Sequence, residues 1–251
     1  MTTTTIVLLI TVALASAVEV VEATTIILAS GITRGWRSTW EGTILAIIVL
    51  AAIVAIAGPA LINYVPINVL RLVVGTLLLI FGMQWLYKNI LRASGYKALH
   101  DESLIYQRNV DNLSQSPGVM RGQRDSVAFV ISFKGVFLEG MEIVIIVISF
   151  GVPAGQLVPC ILAAAAAVVV VGSIGALLTR PLSKVPEEYL KLGVALILST
   201  FGTFWMGEGA GIAWPLSDGF LIVILATLTL ITFGIIFYFR KTKPVGSEVA
   251  A

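Results

Sequence analysis

Seven mostly apolar stretches, near residues 5–32, 42–63, 67–87, 126–152, 157–179, 188–207 and 218–239, dominate this chain. Each is about 20 residues long or longer, which at about 1.5 Å of rise per residue is the helix needed to cross a bilayer's hydrocarbon. Of the 251 residues 58% are hydrophobic and 12% charged, and the mean hydropathy is +1.00. That excess of apolar surface excludes a soluble globular domain, an aqueous enzyme and a nucleic-acid binder. The expected class is an all-α polytopic membrane protein with seven transmembrane helices. Breaks fall where such a chain needs them: "TRGWRSTW", Pro59 to Pro66, "GVPAG", "TRPLSKVPEE" and "AGIAWPLSDG". The N-terminal "MTTTTIVLLI" lacks the basic region of a cleaved signal peptide and is read as the start of the first membrane helix. The single cysteine, Cys160, excludes an internal disulfide and a thiolate metal cluster.

Basic residues set the expected orientation. Arg34 and Arg37 follow the first segment, and Lys88, Arg92, Lys97, Arg108, Arg121 and Arg124 lie in or border the long third connection. Arg180, Lys184 and Lys191 surround the fifth, and Arg240, Lys241 and Lys243 follow the last segment. With seven spans all of these share one side, and only Arg71 lies at a helix edge on the other. The positive-inside rule then predicts an outside N-terminus and a cytosolic C-terminus in a multi-pass protein of the cell membrane.

The chain also repeats itself at an offset of 120 residues: Glu19 with Glu139, Glu22 with Glu142, Gly31 with Gly151. "VPINVLRL" at 65–72 matches "VPEEYLKL" at 185–192, and "FGMQW" at 81–85 matches "FGTFW" at 201–205. Three spans per copy force the copies to enter the membrane in opposite directions, the inverted-topology plan of many secondary transporters. The expected organisation is a first three-helix repeat over 1–88, a cytosolic linker over 89–125, an inverted second repeat over 126–208, and an extra helix with its tail over 209–251. In the linker, "NILRASGYKALHDESLIYQRNV" has helical character and "DNLSQSPGVMRGQR" reads as a flexible link.

Glu19 and Glu22 fall near the centre of the first span, Glu139 and Glu142 near the centre of the fourth. Their i, i+3 spacing puts each pair on one helix face, and antiparallel copies would bring the two faces together at mid-depth. Four ionised carboxylates there would cost about 10–14 kcal/mol on insertion scales if nothing compensated them. The carboxylates must therefore hold protons or enclose a cation, and a transporter alternates between the two. An all-oxygen donor set suits iron, manganese, calcium or magnesium better than Cu⁺. Lys134 is the basic residue well inside a predicted span. It either reaches toward the site or, as expected of a lysine near a membrane surface, snorkels to the cytosol.

With seven spans and a basic loop after the third, these motifs resemble the oxidase-dependent (high-affinity) iron permeases. In that family the motif is Arg-Glu-x-x-Glu followed by a small residue and a β-branched apolar run; the counterparts here are "VEVVEATTII" and "LEGMEIVIIV". "RGWRSTWEG" and "GEGAGIAW" look like the corresponding loops, so the resemblance spans about residues 10–240. The arginine before each motif is replaced by Val18 and Leu138. The resemblance implies iron as the cargo, Glu19, Glu22, Glu139 and Glu142 as its ligands, and an extracytoplasmic oxidase or metal donor as a partner.

Glu208, at the outer end of the sixth span, is a candidate entrance carboxylate or an exposed helix-end residue. Glu41 suits the start of the second helix. His100, Asp101 and Glu102 form a loop cluster that either receives released metal or is simply solvated. Trp36, Trp40, Trp85, Trp205 and Trp214 fit interfacial belts, and Gly82 and Gly202 fit close helix packing. Ser16, Thr24 and Thr25 offer neutral oxygens, with bonding to the helix backbone as the default. The functional expectation is a metal-cation transporter, iron first, with no tightly bound cofactor, in a lipid bilayer and open to homo-oligomer formation. The alternatives are a calcium or manganese cation/proton exchanger and a non-transporting scaffold or sensor derived from a permease. No catalytic constellation is visible.

Overall fold

The computed structural model describes residues 3–97, 102–114, 124–178 and 187–242. These residues form eight α-helices and no strand: α1 (Thr3–Arg34), α2 (Trp36–Tyr64), α3 (Ile67–Ala93), α4 (Glu102–Ser114), α5 (Ser126–Gly151), α6 (Leu157–Leu178), α7 (Glu187–Gly209) and α8 (Phe220–Thr242), the last entered through a 3-10 turn at Ser217–Gly219. Six of them (α1, α2, α3, α6, α7 and α8) are long and apolar enough to cross a membrane, the architecture of a multi-pass helical membrane protein. The sequence reading expects seven. The remaining long helix, α5, has 26 residues, but Lys134, Glu139 and Glu142 interrupt its apolar run.

Two expected boundaries shift. The stretch "TRGWRSTW" contains a break of only one residue: Gly35 takes φ of 113°, and α2 starts at Trp36. The third segment runs on to Ala93, because "LYKNILRA" remains a good helix former although its apolar run has ended. Within the expected linker, 102–114 is helical, so residues 111–114 of the expected flexible link belong to α4. Residues 115–123, His100, Asp101 and the Glu102 side chain lie outside what is described, as do Arg121, Arg180, Lys184 and Lys243.

The chain falls into two compact units. One takes residues 1–11, 61–100 and 186–251, the other 12–60 and 101–185. Each unit therefore combines helices from both expected repeats.

In the first unit α3 and α7 run antiparallel in close contact. Gly82 abuts Ser199 and Gly202 abuts Leu79, with a Cβ at either position about 2.5–2.6 Å from the opposing backbone nitrogen; Gly75 meets Met206 and Gly209 meets Leu72. Each step toward the C-terminus of one helix is thus a step toward the N-terminus of the other. Small residues at such crossings let two backbones approach, which is how membrane helices gain packing energy where lipid removes the hydrophobic drive. At one end Leu86, Ile90, Leu192, Ala195, Leu196 and Ile236 form a buried cluster that includes α8. Arg240 of α8 donates from Nε (3.0 Å) and Nη2 (2.8 Å) to the carbonyl of Ala93, serving an acceptor that the end of α3 leaves open. Tryptophans divide: Trp36 and Trp40 are exposed, as a belt requires, whereas Trp205 is buried against Phe201 and Trp214 stacks between Phe204 and Phe220.

In the second unit α1 and α5 run antiparallel. Ser30 meets Ser132 (3.1 Å) and the Ala128 carbonyl (3.4 Å), and Ile26 fills the space beside Gly135. α2 lies along α5 in the same direction, Gly42 against the backbone of Phe129 and Phe133, Leu50 against Gly140. Gly175 of α6 admits Thr24 of α1. Asp125 is the N-cap of α5, accepting from the N–H groups of Val127 (2.9 Å) and Ala128 (3.0 Å).

Candidate metal centre

Antiparallel packing of α1 on α5 brings the carboxylates together. Glu19 is 2% exposed, Glu139 and Glu142 are half-buried, and one carboxylate oxygen from each lies within 4.8 Å of the others. Three of the four expected ligands thus converge. Glu22, also half-buried, is not part of this trio; it faces a cavity of about 510 Å³ whose wall Glu139 shares. The cavity is lined by Glu22 and Ile26 of α1, Asn109 and Asn112 of α4, and Lys134 and Glu139 of α5.

Three carboxylates this close, on helices otherwise lined with valine, isoleucine and alanine, suit one positive charge or more between them. Their oxygens are hard donors, matched to cations that take oxygen ligands at about 2.0–2.6 Å. Of the neutral oxygens weighed from the sequence, the Thr25 hydroxyl donates to the Val21 carbonyl at 3.1 Å, the default for a membrane helix. Ser16, fully buried one turn before Glu19, has no hydrogen-bond partner for its Oγ among the described residues, and so keeps a neutral oxygen on the Glu19 face of α1.

The two positions where the resemblance expects arginine differ from each other. Val18 is 1% exposed and packed in the interior, whereas Leu138 is 52% exposed and lines the cavity. Lys134, one turn before Leu138, lines the same cavity rather than only a membrane surface. Glu208 lies elsewhere, in the first unit, where the Arg71 guanidinium pairs with it at 3.3 Å. Glu41 sits between Arg37 (3.4 Å) and Arg124 (3.2 Å).

Sequence reasoning missed the wall contributed by α4 and what holds it. Arg34, read only as a topology charge, is buried: its Nε donates to Asp125 Oδ2 at 2.8 Å and its Nη1 to the Leu113 carbonyl at 3.0 Å. One guanidinium therefore ties the ends of α1 and α4 to the start of α5. The Asp125 N–H in turn donates to Ser38 Oγ at 2.9 Å. Burial alone would raise the Asp125 carboxyl, but the N–H groups of Ala128 and Val127 and the Arg34 guanidinium hold it below the ordinary carboxylate value. A usable signal existed in "RDSV", an aspartate directly before an apolar helical run.

Comparison of the chain with protein-family models, with curated proteins and with solved structures finds no match.

Proposed function

We propose that this protein is a membrane transporter of metal cations, iron foremost, with Glu19, Glu139 and Glu142 as ligands and Glu22 as the next carboxylate on the ion's path. The observation that carries the reading is the buried trio itself: three carboxylate oxygens within 4.8 Å, contributed by two helices. Carboxylates inside a membrane bundle are costly, and mark ion or proton pathways by default. Ser16 adds a neutral oxygen to the set, and loss of protons on metal entry couples the two. Oxygen-only ligation serves ferrous and ferric iron, manganese and calcium alike, so the iron preference rests on the resemblance in the motifs; a cation/proton exchanger for manganese or calcium uses the same site.

An inverted duplication over seven spans, α5 included, is the matching architecture. It is supported by Gly35 and Gly155, 120 residues apart and both at positive φ (113° and 65°). The reciprocal Gly82–Ser199 and Gly202–Leu79 contacts obey the same offset. Because α1 and α5 jointly hold the carboxylates, alternating exposure has to keep those two helices together and move other elements about them. The basic residues favour an outside N-terminus, and the resemblance an extracytoplasmic oxidase or metal donor. Homo-oligomers are compatible with this reading.

Uptake into proteoliposomes tests it. The Glu19→Gln, Glu142→Gln double variant is expected to lose iron and manganese uptake while keeping its helical content and thermal transition. Wild-type uptake by the folded double variant overturns the assignment of these glutamates as ligands, and absence of uptake by the folded wild-type protein overturns the transport reading and leaves a scaffold or sensor.

A further inference from the structure

The 510 Å³ cavity holds two carboxylates, Glu22 and Glu139, and one cationic side chain, Lys134. Asn109 and Asn112 add neutral amides, and Leu138 and Ile26 the apolar part of the wall. Through Glu139 the cavity adjoins the trio, so a cation in the cavity shares its wall with Lys134. Lys134 is itself exposed, and its amine has four methylenes of reach.

We infer that Lys134 is a tethered counter-cation that sets the selectivity of this vestibule for multivalent over monovalent ions. This rests on the transport reading above. An ammonium tethered in the same cavity wall as Glu22 and Glu139 competes with free ions at a high effective concentration. Sodium and potassium bring the same single charge and gain nothing by displacing it. A divalent or trivalent ion interacts at least twice as strongly with the same carboxylates, and drives the ammonium away along its flexible stem. Lys134 thus divides the affinity for every cation by the same factor, which leaves the weakly held monovalent ions unable to fill the vestibule while multivalent ions still bind.

Manganese binding to purified protein, followed by Mn²⁺ electron paramagnetic resonance, tests this with the metal alone as probe. Titrations are run in sodium chloride and in choline chloride of equal ionic strength, so that screening is held constant. The Lys134→Gln variant is expected to bind Mn²⁺ about tenfold more tightly in choline chloride, and to lose much of that gain in sodium chloride. Lys134→Arg should behave as wild type. If Lys134→Gln matches wild type in both salts while Glu19→Gln abolishes binding, this inference fails and the metal site stands. If folded wild-type protein binds no Mn²⁺, nor iron in a parallel titration, both fail together. Thermal unfolding of each variant in the same detergent identifies a change that is merely structural, which also counts against the inference.

Discussion

Arg34 and Asp125 form an ion pair of 2.8 Å with side chains only 4% and 7% exposed, and the same guanidinium holds the Leu113 carbonyl at the end of α4. Removing one partner of such a pair strands the other charge, at a cost of about 3–5 kcal/mol. Arg34→Met or Asp125→Leu alone should therefore lower the thermal transition strongly, and the double variant should recover part of the loss. A differential melting series of the three proteins measures it.

The same pair sets a pH dependence. Asp125 is depressed in the fold, so its contribution is fully present above the unfolded value of about 3.9 and lost as pH falls through its lower folded value. Acid melting of the wild-type protein below about pH 4 should steepen relative to Asp125→Asn, which has no proton to gain there. Equal acid profiles for the two proteins would show that other carboxyls dominate.

At the α3–α7 crossing, Gly202→Ala forces a methyl to about 2.5 Å from the Leu79 nitrogen. Backbone cannot move aside as a flexible side chain can, and overpacking of this kind costs about 1–3 kcal/mol. Gly193, on the same helix with nothing within 4 Å, is the control. Gly193→Ala should be neutral or stabilising by up to about 1 kcal/mol, the usual helix preference for alanine. Thermal unfolding in detergent separates the two substitutions.

Glu208 and Arg71 are partly exposed and paired at 3.3 Å, a geometry worth about 0–1 kcal/mol. Their effect is expected on capture of cations rather than on folding. Glu208→Gln leaves Arg71 unbalanced and should raise the apparent KM for metal uptake at low ionic strength. Arg71→Gln frees the carboxylate and should lower it. Both differences should shrink in high salt. Shifts of the same sign in the two variants would remove the entrance role.

Much of the helix inventory was legible because the apolar runs are long and because Pro66 directly precedes α3. The α1–α2 break was read as an eight-residue loop because "TRGWRSTW" is polar, yet a single glycine at φ 113° turns the chain. The converging glutamates were legible from spacing and repetition. That Glu22 faces the cavity while Glu19 enters the trio was not, since a small rotation of α1 about its axis decides it. Nor could α4 be placed: its short apolar stripe of Tyr106, Val110 and Leu113 names no partner, and Arg34 bonds to a backbone carbonyl at its end. Tertiary hydrogen bonds to main-chain atoms leave no trace in residue type.

Glu139 belongs at once to the three-carboxylate cluster and to the cavity wall. The four acidic residues are therefore not equivalent in place, although both pairs share the Glu-x-x-Glu spacing. Glu19 and Glu142 belong to the cluster and Glu22 to the cavity wall, so on the transport reading proposed above a neutral amide at any of these is expected to impair one compartment. On the same reading an amide at position 139 is expected to interrupt passage between the two, a loss that the other three carboxylates cannot make good.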